Sequence, residues 1–362
     1  MNIGIDAKWL YDGPVSGKLV VKNLIENFTS SDQNQYTLIV KKKDMIRAQE
    51  EYGAKFRIIP VTFFLNNLFT NIFIMPLLIF TEDFKYIIFQ NFGSFIFQKK
   101  SVVFIHDLLF IDYPKFFSSL EGIYYRFMII LAKNVKLIVT STQSEKERIL
   151  KHLKIDRSKI LISSLGADHI NNVVQEEPND IELIKGRPFV FYLGRLDIRK
   201  NLSSLLQAFK NIDKSETLLI IGGSPGNDAD LKKLQKLIND LGISHRVLLT
   251  GYIQPQQLSW YFKNAVSFCF PSYAEGFGLP PLEAMMHGCP VICSNTTSMP
   301  EVCGDAALYI DPYSVDSITA KLNEVTSDNF DRDKFVQRGF DRAKIFKWKD
   351  VAKKIENKIK KL

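Results

Sequence analysis

At 362 residues the chain exceeds one ordinary hydrophobic core, so two domains are expected. Hydrophobic content of 46% and charged content of 24% are those of a soluble globular protein. The net charge of +8 asks for acidic partners, yet the lysines are spread along the chain without interleaved aromatics or any helix-turn-helix, zinc-finger or RNA-binding signature. That excludes nucleic acid and favours an anionic lipid surface.

The chain opens on Met1-Asn2-Ile3-Gly4-Ile5-Asp6, which reads as a first β-strand and not as an export signal. A turn-rich loop, Asp12–Gly17, leads to an amphipathic helix over about 18–28. Strand 36–40, a charged helix over 44–52 and strand 56–60 follow. Strand, glycine loop and helix are the opening of a doubly wound α/β domain. The dinucleotide fingerprint G-x-G-x-x-G is missing, which argues against NAD or FAD.

Val61–Phe80 is uncharged and rich in Phe, Leu and Ile. Asn66, Asn67, Thr70, Asn71 and Pro76 interrupt it, and a span needs ~20 apolar residues, so a transmembrane helix is not expected. A helix that packs in the domain and one that touches a membrane both fit. Strand 101–105 ends in His106-Asp107-Leu108, at the carboxyl end of a strand, where open α/β sheets bind ligands. Helix 117–133, strand 135–140, helix 144–153 with a Ser144/Glu147 capping box, and strand 159–163 complete a first domain, 1–170. His152, His169, His245 and His287 show no ligand spacing and are read as structural.

Residues 171–188 are polar and weakly periodic and read as a linker to a second domain, 189–345. Strand 189–193 runs into Gly194-Arg195-Leu196-Asp197-Ile198-Arg199-Lys200-Asn201. Regular β-α alternation then predicts a second parallel sheet, with the loop Gly222–Gly226 and the pair Gly251-Tyr252 at strand ends. The four cysteines, Cys269, Cys289, Cys293 and Cys303, read as buried free thiols of a reducing cytoplasm. Over 346–362, Trp348, Val351, Ile355, Ile359 and Leu362 recur at helical spacing, and this helix is expected to pack back on the first domain.

The stretch Pro271–Pro290 organises the second domain. A strand over 265–270 feeds a loop in which Gly276 and Gly278 bracket Phe277, and Pro280 and Pro281 set up a helix that Gly288 can end. Backbone N–H groups at a helix start suit an anion, most naturally a phosphate. Glu275 and Glu283 flank this loop, and carboxylates accept hydrogen bonds from neighbouring hydroxyls, which suits a sugar or a ribose.

Glu275 and Glu283, with Gly-Phe-Gly-Leu between them, resemble the signature of the retaining glycosyltransferases of GT-B fold, the large family called GT4. Gly194-Arg195 with Lys200-Asn201, the segment Phe104–Leu108, Gly288-x-Pro290-Val291 and the first-strand glycine loop extend the resemblance over nearly the whole chain, in the right order. The resemblance implies an α/β GT-B fold, two doubly wound Rossmann-like domains facing across a cleft. It implies a retaining, metal-independent hexosyl transfer from a nucleotide-diphosphate sugar to a glycan or lipid-linked saccharide in bacterial surface-polysaccharide assembly. GDP-mannose is the leading donor, with UDP-hexoses and dTDP-rhamnose open.

By the same resemblance Arg195 and Lys200 hold the donor diphosphate in place of a divalent cation, and no cofactor is expected. Gly194 belongs to that element. Gly276, Phe277, Gly278 and Leu279 cradle the sugar and distal phosphate. Glu275 binds sugar hydroxyls, Glu283 the ribose, Gly251 and Tyr252 lie near the base, and His106 lies at the reacting sugar. The first loop departs from the family pattern: Ser16-Gly17-Lys18 stands where Gly-Gly or Gly-Ile-Gly is usual, so Gly17 can approach a phosphate but its flanking contacts differ. The expected location is cytoplasmic, with peripheral contact at the inner face of the cell membrane. A nucleotide-sugar epimerase of the same build, or a non-catalytic sugar-binding protein, are the competing readings.

Overall fold

The computed structural model describes residues 1–28, 34–170, 174–224 and 228–362. The start of the expected linker and the Pro225-Gly226 end of the Gly222–Gly226 loop lie outside them. The chain divides into two compact units, Met1–Gly166 with Trp348–Leu362, and Ala167–Lys347.

The first unit is built on a seven-stranded parallel sheet: β1 (Asn2–Asp6), β2 (Gln35–Lys41), β3 (Arg57–Val61), β4 (Tyr86–Gln90), β5 (Ser101–Phe104), β6 (Leu137–Thr140) and β7 (Ile160–Ile162), in the order 3-2-1-4-5-6-7. The second has six: β8 (Phe189–Leu193), β9 (Leu218–Gly222), β10 (Val247–Gly251), β11 (Ser267–Phe270), β12 (Val291–Ser294) and β13 (Ala307–Ile310), in the order 10-9-8-11-12-13. Ile3, Ile5, Ile87, Ile88, Val190 and Phe191 are all buried, because helices cover both faces of each sheet. This is the expected α/β class. In each sheet the strand order reverses beside the first strand, between β1 and β4 and between β8 and β11, and the carboxyl ends of such pairs are where open α/β sheets bind ligands.

Several local expectations shift. The first helix is Val15–Asn27, so Gly17 lies in its first turn and not in a loop. Thr142, not Ser144, caps the helix Gln143–Leu153 by accepting from the Glu145 N–H, and Glu147 instead pairs with Arg157 at 2.8 Å. The capping box sits one helix earlier, where Ser118 and Glu121 open the helix Ser119–Ala132. The segment 174–188 does not run free: the Glu176 N–H donates to the Gln256 carbonyl at 3.1 Å, the Tyr261 hydroxyl donates to Asp180 at 2.9 Å, and Ile184 is buried. Those contacts join it to the second unit, and the chain changes units at 166/167 and 347/348. Strand β13 and the helices Val315–Thr326 and Arg332–Ala343 have no counterpart in the sequence reading.

The last helix, Trp348–Lys360, belongs to the first unit and packs on Val15–Asn27. Glu356 accepts from the Tyr36 hydroxyl at 2.6 Å, and Trp348 is fully buried against Gly166, where a Cβ would meet the Trp348 nitrogen at 2.4 Å. Trp348→Ala should therefore cost about 3–5 kcal/mol. A lower urea midpoint for the intact variant, read by far-ultraviolet dichroism, checks this.

Candidate active site

In the second unit, the loops that leave β8 and β11 meet over the point where the strand order reverses. After β8 the chain makes a short 3₁₀ turn, Ile198–Lys200, capped by Asp197, whose carboxylate accepts from the Lys200 N–H at 3.2 Å. Asn201 leaves this turn at φ +59°, a left-handed conformation that Asn tolerates. Its side-chain amide donates to the Pro271 carbonyl at 3.1 Å and to that of Pro312 at 2.7 Å, tying the β8 loop to the loops after β11 and β13.

This turn aims two cations at one carboxylate. Lys200 Nζ lies 2.7 Å from Glu275 Oε1 and Arg199 Nη1 lies 2.9 Å from Oε2. Arg199 also donates to the Ala274 carbonyl at 2.7 Å, and Lys200 Nζ sits 4.7 Å from the Phe270 ring centroid. Glu275 and Lys200 are buried. Burial would push the Glu275 carboxyl up, but the Arg199 and Lys200 charges outweigh it and hold its pKa down at about 2. The cluster is two cations to one anion, so it keeps a positive charge.

The loop itself is clamped from one side. The Thr297 hydroxyl accepts from the Glu275 N–H at 3.0 Å, and the Ser298 hydroxyl lies 3.0 Å from the Glu275 carbonyl and 2.9 Å from that of Phe277. Gly278 is at φ +96°, and a Cβ there would lie 2.0 Å from Met299 Cε, so glycine is required twice over. The helix then runs Leu279–Met286 and ends before Gly288 at φ +71°. Pro280 and Pro281 occupy its second and third positions and have no N–H. Of the four N–H groups a helix start leaves unpaired, those of residues 278–281, only those of Gly278 and Leu279 exist. Any anion held here leans on side-chain cations more than on the helix end.

Glu283 is the fifth residue of that helix, just past its first turn. Its Oε1 lies 3.1 Å from His169 Nε2. His169 was read as structural; the fold brings it to the signature carboxylate. His287 is structural as read: its Nδ1 donates to the Glu283 carbonyl at 2.8 Å, and Nε2 lies 2.8 Å from the Ser259 hydroxyl.

Arg195 stands apart from the buried cluster. Its side chain is 69% exposed and its nearest carboxylate is Asp197 at 3.8 Å. Gly194 approaches the neighbouring strand end closely: its N–H donates to the Gly222 carbonyl at 3.1 Å, and a Cβ on Gly223 would lie 1.9 Å from the Gly194 oxygen. Gly251 at φ +69° closes β10 and gives its carbonyl to the Gly223 N–H at 2.7 Å, which leaves Tyr252 63% exposed beside it. Arg199 is the residue the sequence reading passed over. The available signal was a second cation next to Lys200 within the quoted motif.

His106 and Gly17 belong to the first unit. The imidazole of His106 lies between Phe104 and Trp9, with ring centroids at 4.9 and 6.0 Å. Its Nε2 is 3.0 Å from Gln90 Oε1, and the Asn91 side chain accepts from its backbone N–H at 3.2 Å. Gly17 presses on the same indole: a Cβ there would lie 2.6 Å from Trp9 Cε3. That contact accounts for the glycine in a first turn. Among the described residues no group of three or more His, Cys, Asp or Glu could hold a metal ion.

Two pH responses follow. Burial lowers the His106 pKa to about 4 from 6.5, so the ring is neutral at pH 7. An NMR titration of its ring proton should show a midpoint near 4, and a midpoint near 6.5 would contradict the packing described. The folded-state pKa of Glu275, about 2, lies below its ordinary 4.5. Its stabilising contribution is complete above 4.5 and is lost as pH falls toward 2. Glu275→Gln should flatten this part of the acid-unfolding curve.

Residues 173–342 match the family described as Glycosyl transferases group 1. O-antigen chain mannosyltransferase B of Escherichia coli is 32% identical over 63% of this chain and 61% of its own length. O-antigen chain mannosyltransferase RfbU of Salmonella typhimurium strain LT2 is 26% identical over 59% of this chain and 57% of its own. The matched segment thus spans less than two thirds of either relative. Among solved structures, sucrose-phosphate synthase from Thermosynechococcus elongatus superposes with a TM-score of 0.77 at 16% identity, covering 100% of this chain and 98% of that one. Anabaena Alr3699/HepE in complex with UDP and glucose gives 0.74 at 18% identity, covering 100% of both chains. WaaG, a glycosyltransferase involved in lipopolysaccharide biosynthesis, gives 0.72 at 15%, covering 98% of both. At these identities the likeness is one of fold, and the fold is GT-B.

Proposed function

We propose, for a chain whose residues 173–342 are a Glycosyl transferases group 1 domain, that it transfers a hexose from a nucleotide-diphosphate sugar to a saccharide acceptor in surface-polysaccharide assembly. The observation that carries this reading is the Arg199–Lys200–Glu275 cluster at the crevice between β8 and β11, with Glu283 on the helix that follows. A net positive, largely buried cluster suits a diphosphate leaving group, whose charge grows as the glycosidic bond breaks. Arg195, exposed at the same loop, supplies a further cation able to take phosphate oxygens in a bidentate way.

In this reading Lys200 and Arg195 stabilise the departing diphosphate, and the backbone of Gly276–Leu279 holds the sugar and distal phosphate. Glu275, itself fixed by Lys200 and Arg199, accepts from sugar hydroxyls. Glu283 with His169 takes the ribose, and Tyr252 lies near the base. His106, neutral at pH 7, offers its ring to the reacting sugar. The configuration at the anomeric carbon is retained, and the side-chain cations serve where a divalent ion serves elsewhere. Mannose, from GDP-mannose, is the preferred donor because the two curated relatives named above are mannosyltransferases. The acceptor is a glycan or lipid-linked saccharide, with Val61–Phe80 touching the inner face of the cell membrane.

Arg195→Ala is expected to lower turnover ~10²–10³-fold with little change in stability, since the side chain is exposed. Lys200→Ala should lose both, because it strips Glu275 of a buried partner. Purified variants assayed with labelled GDP-mannose, UDP-glucose and dTDP-rhamnose, with melting temperatures alongside, test this. Near-wild-type turnover in both variants sinks the assignment. Glu283→Gln should weaken free nucleoside diphosphate, and Glu275→Gln should spare it while damaging transfer; equal losses of nucleotide affinity refute that division. Full inhibition by EDTA, reversed by Mg²⁺, would count against metal-independent transfer.

A further inference from the structure

The carboxyl ends of β4 and β5 are bolted together around one ring. Gln90 closes β4 and pairs in register with Phe104 of β5, which sets His106 just beyond the last strand pair. Gln90 and its neighbour Asn91 then both reach His106. The Asn91 side chain accepts from the His106 backbone N–H at 3.2 Å, and Gln90 Oε1 lies 3.0 Å from Nε2 of the ring. Asn91 stands at φ +61°, a left-handed conformation, and its own N–H donates to the Phe104 carbonyl at 2.9 Å. Trp9 and Phe104 close on the ring faces. A half-turn of the imidazole would set a carbon, Cε1, against Gln90 and lose the hydrogen bond.

The Gln90 side chain makes no other hydrogen bond among the described residues. It is buried, and its Nε2 has no partner among them. A buried amide donor left unpaired is a cost to the fold that an apolar side chain of the same length does not carry. The bond to the ring is what a glutamine supplies here in return.

That bond decides where the ring is protonated. An amide oxygen only accepts, so Nε2 carries the proton. Burial holds the ring pKa down at about 4, so at pH 7 this is its one proton and Nδ1 is a bare lone pair. Nδ1 makes no hydrogen bond among the described residues and is not one of their buried unpaired atoms, so it is open to a ligand at the strand ends. The charged groups on the surrounding elements are engaged elsewhere. Asp6 and Lys8 after β1 pair at 2.7 Å, Asp107 accepts from the Leu109 N–H at 3.2 Å, and Glu145 accepts from that of Leu108 at 2.7 Å beside Arg148. Lys18, half-buried, follows Gly17 on the helix behind Trp9.

We propose that Gln90 is a positioning residue: it locks His106 in the tautomer with the proton on Nε2, so that the ring presents an acceptor, Nδ1, to a hydroxyl of the substrate sugar. The inference rests on the proposed placement of His106 at the reacting sugar. A ring so held accepts a hydrogen bond from a polyol and carries no proton to the departing phosphate.

The test uses the intact, isotope-labelled chain. Long-range proton–nitrogen spectra at pH 7 separate protonated from bare imidazole nitrogens, and the His106 signals are those lost in His106→Asn. Wild type should show a protonated Nε2 and a bare Nδ1. Gln90→Met removes the acceptor at the same side-chain length. It should shift the tautomer ratio about fivefold and lower turnover of labelled GDP-mannose by a similar factor, with the melting temperature unchanged or raised. Gln90→Glu keeps an acceptor oxygen at the ring and adds a charge. The ring midpoint should then rise well above its wild-type value of about 4, and turnover should fall as pH drops through the new midpoint, whereas wild type stays flat between about pH 6 and 8. A proton on Nδ1 in wild type overturns the proposal whatever the activity, and so does an unchanged tautomer ratio in Gln90→Met. If His106→Asn turns over like wild type, the placement of His106 at the reacting sugar falls and the acceptor role with it, while the spectra still show whether Gln90 sets the ring.

Discussion

Glu275 is the constraint on which the second unit's crevice depends. A carboxylate this buried is stable as an anion only because Lys200 and Arg199 lie within 2.7 and 2.9 Å of it. Those cations come from the loop after β8 and the carboxylate from the loop after β11, two neighbouring strands far apart in sequence. The ion cluster therefore fixes the separation of the two loops that shape the crevice. Asn201 bonds the same loop to the Pro271 and Pro312 carbonyls, and Ser298 and Thr297 hold the other from beneath. A binding surface held by polar contacts on both sides is ordered before any ligand arrives.

The first unit uses a related device at its own reversal of strand order. Lys8, just past β1, is fully buried with its amine 2.7 Å from Asp6 and 2.8 Å from the Asn71 side-chain oxygen. Asn71 in turn donates to the Phe92 carbonyl at 2.5 Å, and the Asn67 amide reaches that of Gln90 at 3.4 Å. The polar residues that interrupt the apolar segment 61–80 thus face inward and tie it to the ends of β1 and β4. Its phenylalanines are left to face outward. No helix among the described residues is long and apolar enough to cross a membrane, and this inward use of Asn67, Thr70 and Asn71 is the physical reason the segment lies along the sheet.

Much of the architecture was legible in the chain itself. Apolar runs such as Phe189–Leu193, each followed by a glycine loop and an amphipathic helix, leave few alternatives to parallel sheets covered on both faces. The signature Glu275–Glu283 was legible too, because a φ of +96° at Gly278 demands a residue type visible in the sequence. Local competition between caps was not: Thr142 and Ser144 are both good N-caps, and the choice fell to the one whose helix also brings Glu145 beneath the Leu108 N–H at 2.7 Å.

What only the tertiary structure decided are the pairings across sequence distance. Arg199 meets Glu275 because the parallel strands β8 and β11 bring their loops to one edge, and His169, on the stretch that enters the second unit ahead of β8, meets Glu283 on the helix after β11; nothing in the spacing of those residues announces it. The sequence reading placed a helix over 117–133. It could not tell that the helix is apolar on two sides, since burial of one and exposure of the other depend on which face of the sheet the crossover takes.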